Sequence, residues 1–298
     1  MTGHVGQVID TVNDYQIIDC EVCGFRHIDP LPTQAEIDAL YQEEYYQIQK
    51  PDYIKHYEQD RDWWSTVYGE RLKFFERHVT HGQRRLLDIG SGPGLFLLTA
   101  VSRSWQAQGV EPALQAWQYA RDQGLQVQHC CYDEEAAERI GPVDAIHMSA
   151  VLEHVRDPQH FLKTIYGQLS DGGLMCVVVP NEYNPFQKLL RQHMDYRPWW
   201  LVPPHHINYF DFSSLRRLVE KVGFCVVEQQ TTFPIDMFLL MGDNYVENAQ
   251  LGRQCHHRRV EFEQQLARAG LSELKNKLYA SMAELGIGRE VVLYCKKG

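Results

Sequence analysis

A short apolar strand that runs directly into three alternating glycines is the feature that most restricts how this chain can fold. The predicted strand Leu86–Ile89 contains Asp88 and is followed by Gly90, Gly92 and Gly94. Glycine lets the backbone turn sharply and approach a ligand closely, because no Cβ intervenes. A strand, a glycine loop and a following helix together indicate a ligand site at the carboxyl edge of a parallel sheet.

Strands and helices alternate from Arg84 onward, which predicts βαβ units and an open parallel sheet. The predicted strands are 86–89, 106–110, 127–130, 144–148, 174–179, 225–232 and 290–295, and the predicted helices include 95–104, 113–123, 158–169, 213–222, 260–269 and 271–285. An irregular stretch is expected after Pro180. We expect a Rossmann-like, doubly wound α/β fold with a helical insertion before its last strand.

The first 80 residues differ in composition from the rest, because they are rich in Tyr, Trp, Gln and acidic residues. Thr33 and Glu36 form a capping-box pattern that predicts a helix over Thr33–Tyr46. A second helix is predicted over Tyr53–His78. The expected regions are an N-terminal Cys-x-x-Cys hairpin and helical extension (1–80), a core (81–234), a helical insertion (235–287) and the final strand of the core sheet (288–298).

The overall charge restricts the class of partner. The chain carries 29 basic and 39 acidic residues, a net charge of -10, with no run of five or six Lys and Arg residues. We therefore expect no nucleic-acid partner, since phosphate backbones are bound by basic surfaces. No apolar stretch is long enough for a membrane span. The chain start lacks a secretory signal and the eight cysteines are scattered, so a cytoplasmic protein is expected.

An acidic residue after the second strand indicates the kind of cofactor. Glu111 follows that strand about twenty residues beyond the start of the loop, where a carboxylate accepts hydrogen bonds from ribose hydroxyls. A nicotinamide dinucleotide site has Gly-x-Gly-x-x-Gly, but here Leu95 occupies the third glycine position. Asp88 would repel a pyrophosphate and favour a cationic amino group or sulfonium. These features favour S-adenosylmethionine over a dinucleotide.

The same residues resemble the motifs of class I S-adenosylmethionine-dependent methyltransferases. Leu86–Gly94 is similar to their first motif, and Val110–Pro112 to the acidic end of their second strand. Later segments follow in the expected order, namely Val143–His147, Val151–Pro158, Leu169–Leu174 and Val179–Asn181. The resemblance covers about residues 84–232. It implies methyl transfer and a seven-stranded sheet with its last strand antiparallel.

The loop and the resemblance together give a set of expected cofactor contacts. Those residues are Asp88, Gly90, Gly92, Gly94, Glu111, Cys131, Tyr132, Met148 and Ser149. The resemblance implies that Gly90 and Gly92 lie beside the methionine part of the cofactor and that Glu111 holds the ribose. It also implies an adenine slot near Cys131 and Tyr132.

Three histidines are candidates for a catalytic base. His205 and His206 lie in a segment that follows the fifth strand, and His154 follows the fourth. Histidine can accept a proton near neutral pH, as transfer to a hydroxyl acceptor requires. The alternative is that these side chains only anchor their loops by hydrogen bonds. The sequence does not rank His205 against His206.

Cys20, Cys23 and His27 are residue types that bind zinc. A closed site would need a fourth ligand from His4 or His56. The segment around the two cysteines is similar to the start of the zinc-bearing N-terminal domain of sugar C-methyltransferases. The remaining cysteines of that domain are missing here, so we expect a zinc-free hairpin and no metal.

Two features of the sequence bear on the acceptor. The partial similarity to sugar methyltransferases and the aromatic segment Asp195–Trp200, which suits a lid, favour a small molecule such as a sugar nucleotide or glycan precursor. A phenolic or quinone-like acceptor is the second choice. A non-catalytic binding or partner protein that keeps the cofactor fold is the alternative class. The block from Phe238 onward leaves a homodimer open.

Overall fold

Strands and helices alternate as the sequence predicts in a computed structural model that describes residues 3–39, 53–80 and 82–298. The strands are β1 (Gly6–Val12), β2 (Tyr15–Cys20), β3 (Arg26–Asp29), β4 (Arg85–Ile89), β5 (Gln106–Val110), β6 (Val127–Gln128), β7 (Val143–Ser149), β8 (Leu169–Pro180), β9 (Asn208–Tyr209), β10 (Phe224–Thr231) and β11 (Glu290–Lys297).

The helices are α1 (Gln34–Ala39), α2 (Tyr53–Gln59), α3 (Arg61–His78), α4 (Leu95–Ser102), α5 (Leu114–Asp122), α6 (Glu134–Ile140), α7 (Pro158–Gln168), α8 (Pro185–His193), α9 (Phe212–Val222), α10 (Asp236–Leu240), α11 (Ala249–Arg268) and α12 (Ser272–Glu284). Among the described residues, no helix is both long and apolar enough to cross a membrane.

The strands form two sheets. Four of them make the sheet β1-β2-β3-β9, and seven make the sheet β10-β11-β8-β7-β4-β5-β6. In the larger sheet β7, β4, β5 and β6 run parallel. Residues 143–148 of β7 are all buried, as expected for a parallel strand covered on both faces. The predicted Rossmann-like, seven-stranded α/β fold is confirmed.

The chain divides into two compact units, one of residues 1–30, 178–217 and 228–293, the other of residues 31–177, 218–227 and 294–298. These bounds differ from the four regions expected from the sequence. The N-terminal hairpin belongs with the segment after β8 because β3 pairs with β9, which places Arg26 opposite Tyr209 and His27 opposite Asn208. Such a pairing between distant segments leaves no local signal in the sequence.

The helices before the glycine loop agree in part with the prediction. Thr33 and Glu36 make the predicted capping box, in which the Glu36 carboxylate accepts the Thr33 N–H at 2.7 Å. The end of the predicted helix up to Tyr46 lies outside the described residues. The prediction of one helix over 53–78 is wrong, because the helix is interrupted at Asp60. This residue occupies the N-cap position of α3. The side chain of Asp60 makes no capping hydrogen bond, and its backbone leaves the helical conformation at φ -99° and ψ 12°.

The stretch after Pro180 is more regular than predicted. It contains α8, which begins with a capping box between Asn184 and Gln187 and has Pro185 in its first turn. Asn184 also donates to the carboxylate of Asp236 at 3.1 Å. The start signal was present in the sequence, and the prediction of an irregular stretch is corrected there.

Candidate active site

Three neighbouring strands, β5, β4 and β7, end in register with one another. Ile89 at the end of β4 is opposite Val110 of β5 and Met148 of β7. The residues that follow, Gly90 and Glu111, therefore lie at the same carboxyl edge of the sheet. This edge is where open α/β folds bind their ligands.

The three glycines after β4 adopt left-handed backbone conformations. Their φ angles are 68° at Gly90, 52° at Gly92 and 89° at Gly94. The N–H groups of Gly90 and Ser91 both donate to the carbonyl of Val110, at 2.9 and 3.1 Å. These hydrogen bonds hold the loop at the end of β5. Residues that have a Cβ rarely adopt this backbone conformation.

Glu111 joins the two strand ends. Its buried carboxylate accepts the Gly92 N–H at 2.7 Å through Oε2 and the Ala113 N–H at 2.8 Å through Oε1. Burial raises the pKa of Glu111 to about 7, and these two hydrogen bonds oppose that rise. A carboxylate has about four acceptor positions, so both oxygens retain the capacity to accept a hydroxyl. The residue therefore fits the predicted ribose contact.

The segment after β7 closely approaches the glycine loop. Met148 is fully buried, Ser149 is half-buried, and Ala150 has a positive φ of 57°. A Cβ added to Gly90 would lie 2.6 Å from Cγ2 of Val151. Only glycine fits at this position without movement of a neighbour, so the loop and the end of β7 form one closely packed edge.

Asp88 belongs to a buried polar chain that the sequence analysis missed. Nδ1 of His147 lies 2.7 Å from Oδ1 of Asp88, and Nη1 of Arg71 lies 2.9 Å from Nε2 of His147. Because arginine only donates, Nε2 accepts and Nδ1–H donates to the carboxylate. Burial lowers the pKa of His147, which keeps the ring neutral. Phe96 stacks on this ring with centroids 3.8 Å apart.

Sequence reasoning also missed a tyrosine of α2 that bonds to the first residue of α4. The hydroxyl oxygen of buried Tyr57, in α2, accepts the N–H of Leu95 at 2.6 Å. The first N–H groups of a helix are otherwise unpaired and would be used to bind a pyrophosphate. One of these donors is therefore already bonded, which agrees with the prediction that the loop does not hold a dinucleotide.

The two residues expected at the adenine slot have different environments. Cys131 is exposed, whereas Tyr132 is buried and its hydroxyl donates to Oε1 of Gln168 at 2.5 Å. The Tyr132 ring also makes an edge contact with Phe161, with centroids 5.3 Å apart. The tyrosine is thus held by the protein, and Cys131 presents its side chain to the surface.

Two of the predicted histidines lie against buried carboxylates. In the unit that contains β9, Nδ1 of His206 is 3.3 Å from Oε1 of Glu182. Burial raises the pKa of Glu182, and the contact with His206 opposes this rise. In the other unit, His154 ends the turn after β7, and its Nε2 lies 3.7 Å from the buried carboxylate of Glu153.

The backbone of His205 is bonded to the segment before it. Its backbone N–H donates to the carbonyl of Val202 at 3.0 Å. In the aromatic segment before it, Trp200 is buried and makes an edge contact with Tyr183 at a centroid distance of 5.7 Å. This packing favours a structural role for Trp200 over a lid.

A parallel sheet with a glycine loop and an acidic residue at its carboxyl edge, and with Leu95 in place of the third glycine of a dinucleotide site, is the arrangement of a class I S-adenosylmethionine-dependent methyltransferase, as the sequence predicts. The family described as "Methyltransferase domain" matches residues 56–229, more than half of the chain. The chain belongs to this methyltransferase family, which confirms the predicted class.

Curated relatives are similar to part of the chain. The ubiquinone biosynthesis O-methyltransferase of Caulobacter sp. (strain K31) is 34% identical over 133 residues, which are 41% of this chain and 51% of that protein. The protein of the same name from Chromobacterium violaceum is 29% identical over 109 residues, 35% of this chain and 47% of that protein. The chain thus spans about half the length of the curated relatives it matches.

A solved structure shows the same fold over a larger share of the chain. The plantazolicin methyltransferase BpumL, in complex with SAH, superimposes with a TM-score of 0.51 and 13% identity. The match covers 88% of this chain and 95% of that one. This likeness supports the fold alone.

Proposed function

We propose that the chain transfers the methyl group of S-adenosylmethionine to a hydroxyl oxygen of a small phenolic or quinone-like acceptor. One observation supports S-adenosylmethionine as the methyl donor. Gly90 and Glu111 lie at the same carboxyl edge of the sheet, because β4, β5 and β7 end in register with one another. The sulfonium of the donor supplies an activated methyl group. The protein then has to hold donor and acceptor in line, which can contribute about 7–11 kcal/mol through orientation.

We propose the cofactor contacts that the sequence predicts. Gly90, Gly92 and Gly94 would let the methionine part approach the backbone, and Glu111 would accept the ribose hydroxyls. Met148 and Ser149 at the end of β7 would lie beneath the cofactor. Asp88 contributes through the buried chain to His147, which fixes the strand that leads into the loop. Cys131 and Tyr132 would border the adenine.

The acceptor class is supported by the curated relatives, whose names refer to O-methylation in ubiquinone biosynthesis. We therefore place a phenolic or quinone-like acceptor before the sugar nucleotide that the sequence analysis put first. Transfer to a phenolic oxygen requires removal of the hydroxyl proton. We assign this step to His206, because the buried Glu182 carboxylate can orient its imidazole as the third group orients the base in a catalytic triad.

Binding tests the donor half. Calorimetry with S-adenosylmethionine, its demethylated product and NADH should give binding of the first two and none of the third. Glu111→Gln should weaken binding of both methyl-cycle ligands about 10–100-fold, the value of a charge-assisted hydrogen bond. Glu138→Gln is the matched control, since Glu138 is exposed on α6. Binding of NADH alone would overturn the proposed cofactor.

Turnover tests the acceptor half. The purified chain is incubated with donor labelled in its methyl group and with protocatechuate, a hydroquinone or UDP-glucose in separate reactions. Label should appear in the first two products and not in the third. Labelled UDP-glucose would instead support the sugar acceptor, and tight donor binding without any labelled product would support the non-catalytic alternative.

A further inference from the structure

Four side chains converge at one end of the small N-terminal sheet. They are His4, Cys20, Cys23 and His27, and one potential ligand atom from each lies within 4.8 Å of all the others. Cys20 ends β2 and His27 lies in β3, whereas Cys23 is in the turn between those strands. All four residues belong to the same compact unit of the chain.

The strand register explains how His4 reaches the two cysteines. Gly6 in β1 is opposite Cys20 in β2, and the N–H of Glu21 donates to the carbonyl of Val5 at 2.9 Å. The residue that precedes Val5 therefore lies beside the turn. This long-range pairing supplies the fourth side chain, which the sequence analysis could assign only to His4 or His56.

The turn between β2 and β3 brings the second cysteine back to the first. The N–H of Gly24 donates to the carbonyl of Cys20 at 2.9 Å, and Gly24 has a positive φ of 76°. The N–H of Cys23 points at the sulfur of Cys20, 3.5 Å away. Such N–H contacts to sulfur stabilise a thiolate and orient metal ligands.

The two sulfur–nitrogen distances from His4 are close to those of a tetrahedral zinc site. Nδ1 of His4 lies 3.7 Å from Sγ of Cys20 and 3.3 Å from Sγ of Cys23. With zinc–sulfur bonds of about 2.3 Å and zinc–nitrogen bonds of about 2.0–2.1 Å, a tetrahedral site requires sulfur–nitrogen distances of about 3.6 Å. The three side chains are therefore already spaced as ligands of one ion.

His27 gives a second, independent observation. Its Nδ1 lies 2.8 Å from the carbonyl oxygen of Ile28, which can only accept, so Nδ1 carries the proton and Nε2 the lone pair. Nε2 is buried and has no hydrogen-bond partner in the described part of the chain. A buried lone pair without a donor is costly. A histidine whose other nitrogen donates to a backbone carbonyl is the usual form of a zinc ligand.

We propose that His4, Cys20, Cys23 and His27 bind one Zn²⁺ ion in a closed structural site. Two thiolates and two imidazoles suit zinc better than hard cations such as Mg²⁺ or Ca²⁺. Four protein ligands leave no position for water or substrate. The ion therefore joins β1 to the β2–β3 hairpin, and this inference replaces the expectation of a metal-free hairpin.

The test measures metal in the full chain, purified without chelator and under reducing conditions. Mass-spectrometric metal analysis should find about one zinc per chain. Cys23→Ser and His4→Gln should each retain less than a tenth of that amount. Cys225→Ser is the matched control, because Cys225 is an exposed free cysteine outside the cluster, and its zinc content should equal that of the wild type.

Cobalt exchange into the wild-type chain keeps the test informative if a variant fails to fold. Tetrahedral Co²⁺ with two thiolates gives intense visible d–d bands and a sulfur-to-cobalt charge-transfer band, which zinc should abolish. Zinc-free wild-type protein without these bands would overturn the proposal. Wild-type zinc content in Cys23→Ser, or a disulfide between Cys20 and Cys23 in the reduced preparation, would do so as well.

Discussion

Asp88 and His147 lie directly opposite each other on the parallel strands β4 and β7, and their side chains are hydrogen-bonded at 2.7 Å. Arg71 of α3 completes the chain by donating to the other nitrogen of His147. The strand that leads into the glycine loop is therefore fixed from inside the core. A residue that the sequence analysis placed among the cofactor contacts thus also has a defined role in the folded protein.

Asp88→Ala should strongly destabilise the fold. It removes the carboxylate that compensates a buried guanidinium through His147, and loss of one partner of a buried charge pair costs about 3–5 kcal/mol. Urea unfolding measures the change. Asp122→Ala, at an exposed site in α5, should stay within about 0.5 kcal/mol of the wild type. Equal losses in both variants would contradict the role assigned to the buried chain.

The raised pKa of Glu111 should make stability depend on pH. Its folded-state pKa of about 7 lies above its ordinary value of 4.5 because the carboxylate is buried. Protonated Glu111 therefore stabilises the fold at pH values below 4.5, and this contribution is lost as pH rises through about 7. Relative to the wild type, Glu111→Gln should gain about 3 kcal/mol of unfolding free energy between about pH 4.5 and pH 8.

The control for this pH effect is Glu138→Gln, which changes an exposed glutamate. Its unfolding free energy relative to the wild type should be the same at both pH values. Unfolding curves at several pH values measure both variants. A pH-independent difference for Glu111→Gln would show that the carboxylate titrates in its ordinary range.

Gly90→Ala should be more harmful than an alanine at another glycine with positive φ. The added Cβ would meet Val151 at 2.6 Å, whereas an added Cβ at Gly124, with φ of 78°, meets nothing within 4 Å. Gly124→Ala should cost about 1–2 kcal/mol from backbone conformation. Gly90→Ala should lose about 1–3 kcal/mol more through overpacking.

The double variant Gly90→Ala/Val151→Ala separates these two effects. It should recover the steric part of the loss and keep the conformational part. Urea unfolding and calorimetric donor affinity are measured in parallel. No recovery in the double variant would mean that the close approach of Val151 is not the cause.

His206→Asn should lower kcat about 10²–10⁴-fold, the usual contribution of a general base. Donor affinity and the unfolding midpoint should stay unchanged. His205→Asn and His154→Asn should each lose less than tenfold, and Glu182→Gln should shift the acidic limb of the pH–rate profile. A larger loss of kcat in His154→Asn than in His206→Asn would transfer the base to the turn after β7.

Local patterns explain what could be predicted of the fold. The glycine loop and Glu111 lie where predicted because backbone freedom and strand-end position are encoded in adjacent residues. Neither the break at Asp60 nor the helix α8 was predicted, although Asp60 and Asn184–Pro185 are residue types that start helices. His147 was missed because its role depends on facing Asp88 across two strands.

The sequence by itself determined the alternation of strands and helices from β4 to β7, the glycine loop with its acidic partner, and the methyltransferase class. Periodicity, capping residues and glycine conformational freedom act over a few residues, so they can be recognised without the fold. Only the tertiary structure decided that His147 joins Asp88 to Arg71 and that His4 completes a four-ligand cluster with Cys20. Strand register sets both arrangements, and register joins residues that are far apart in the chain.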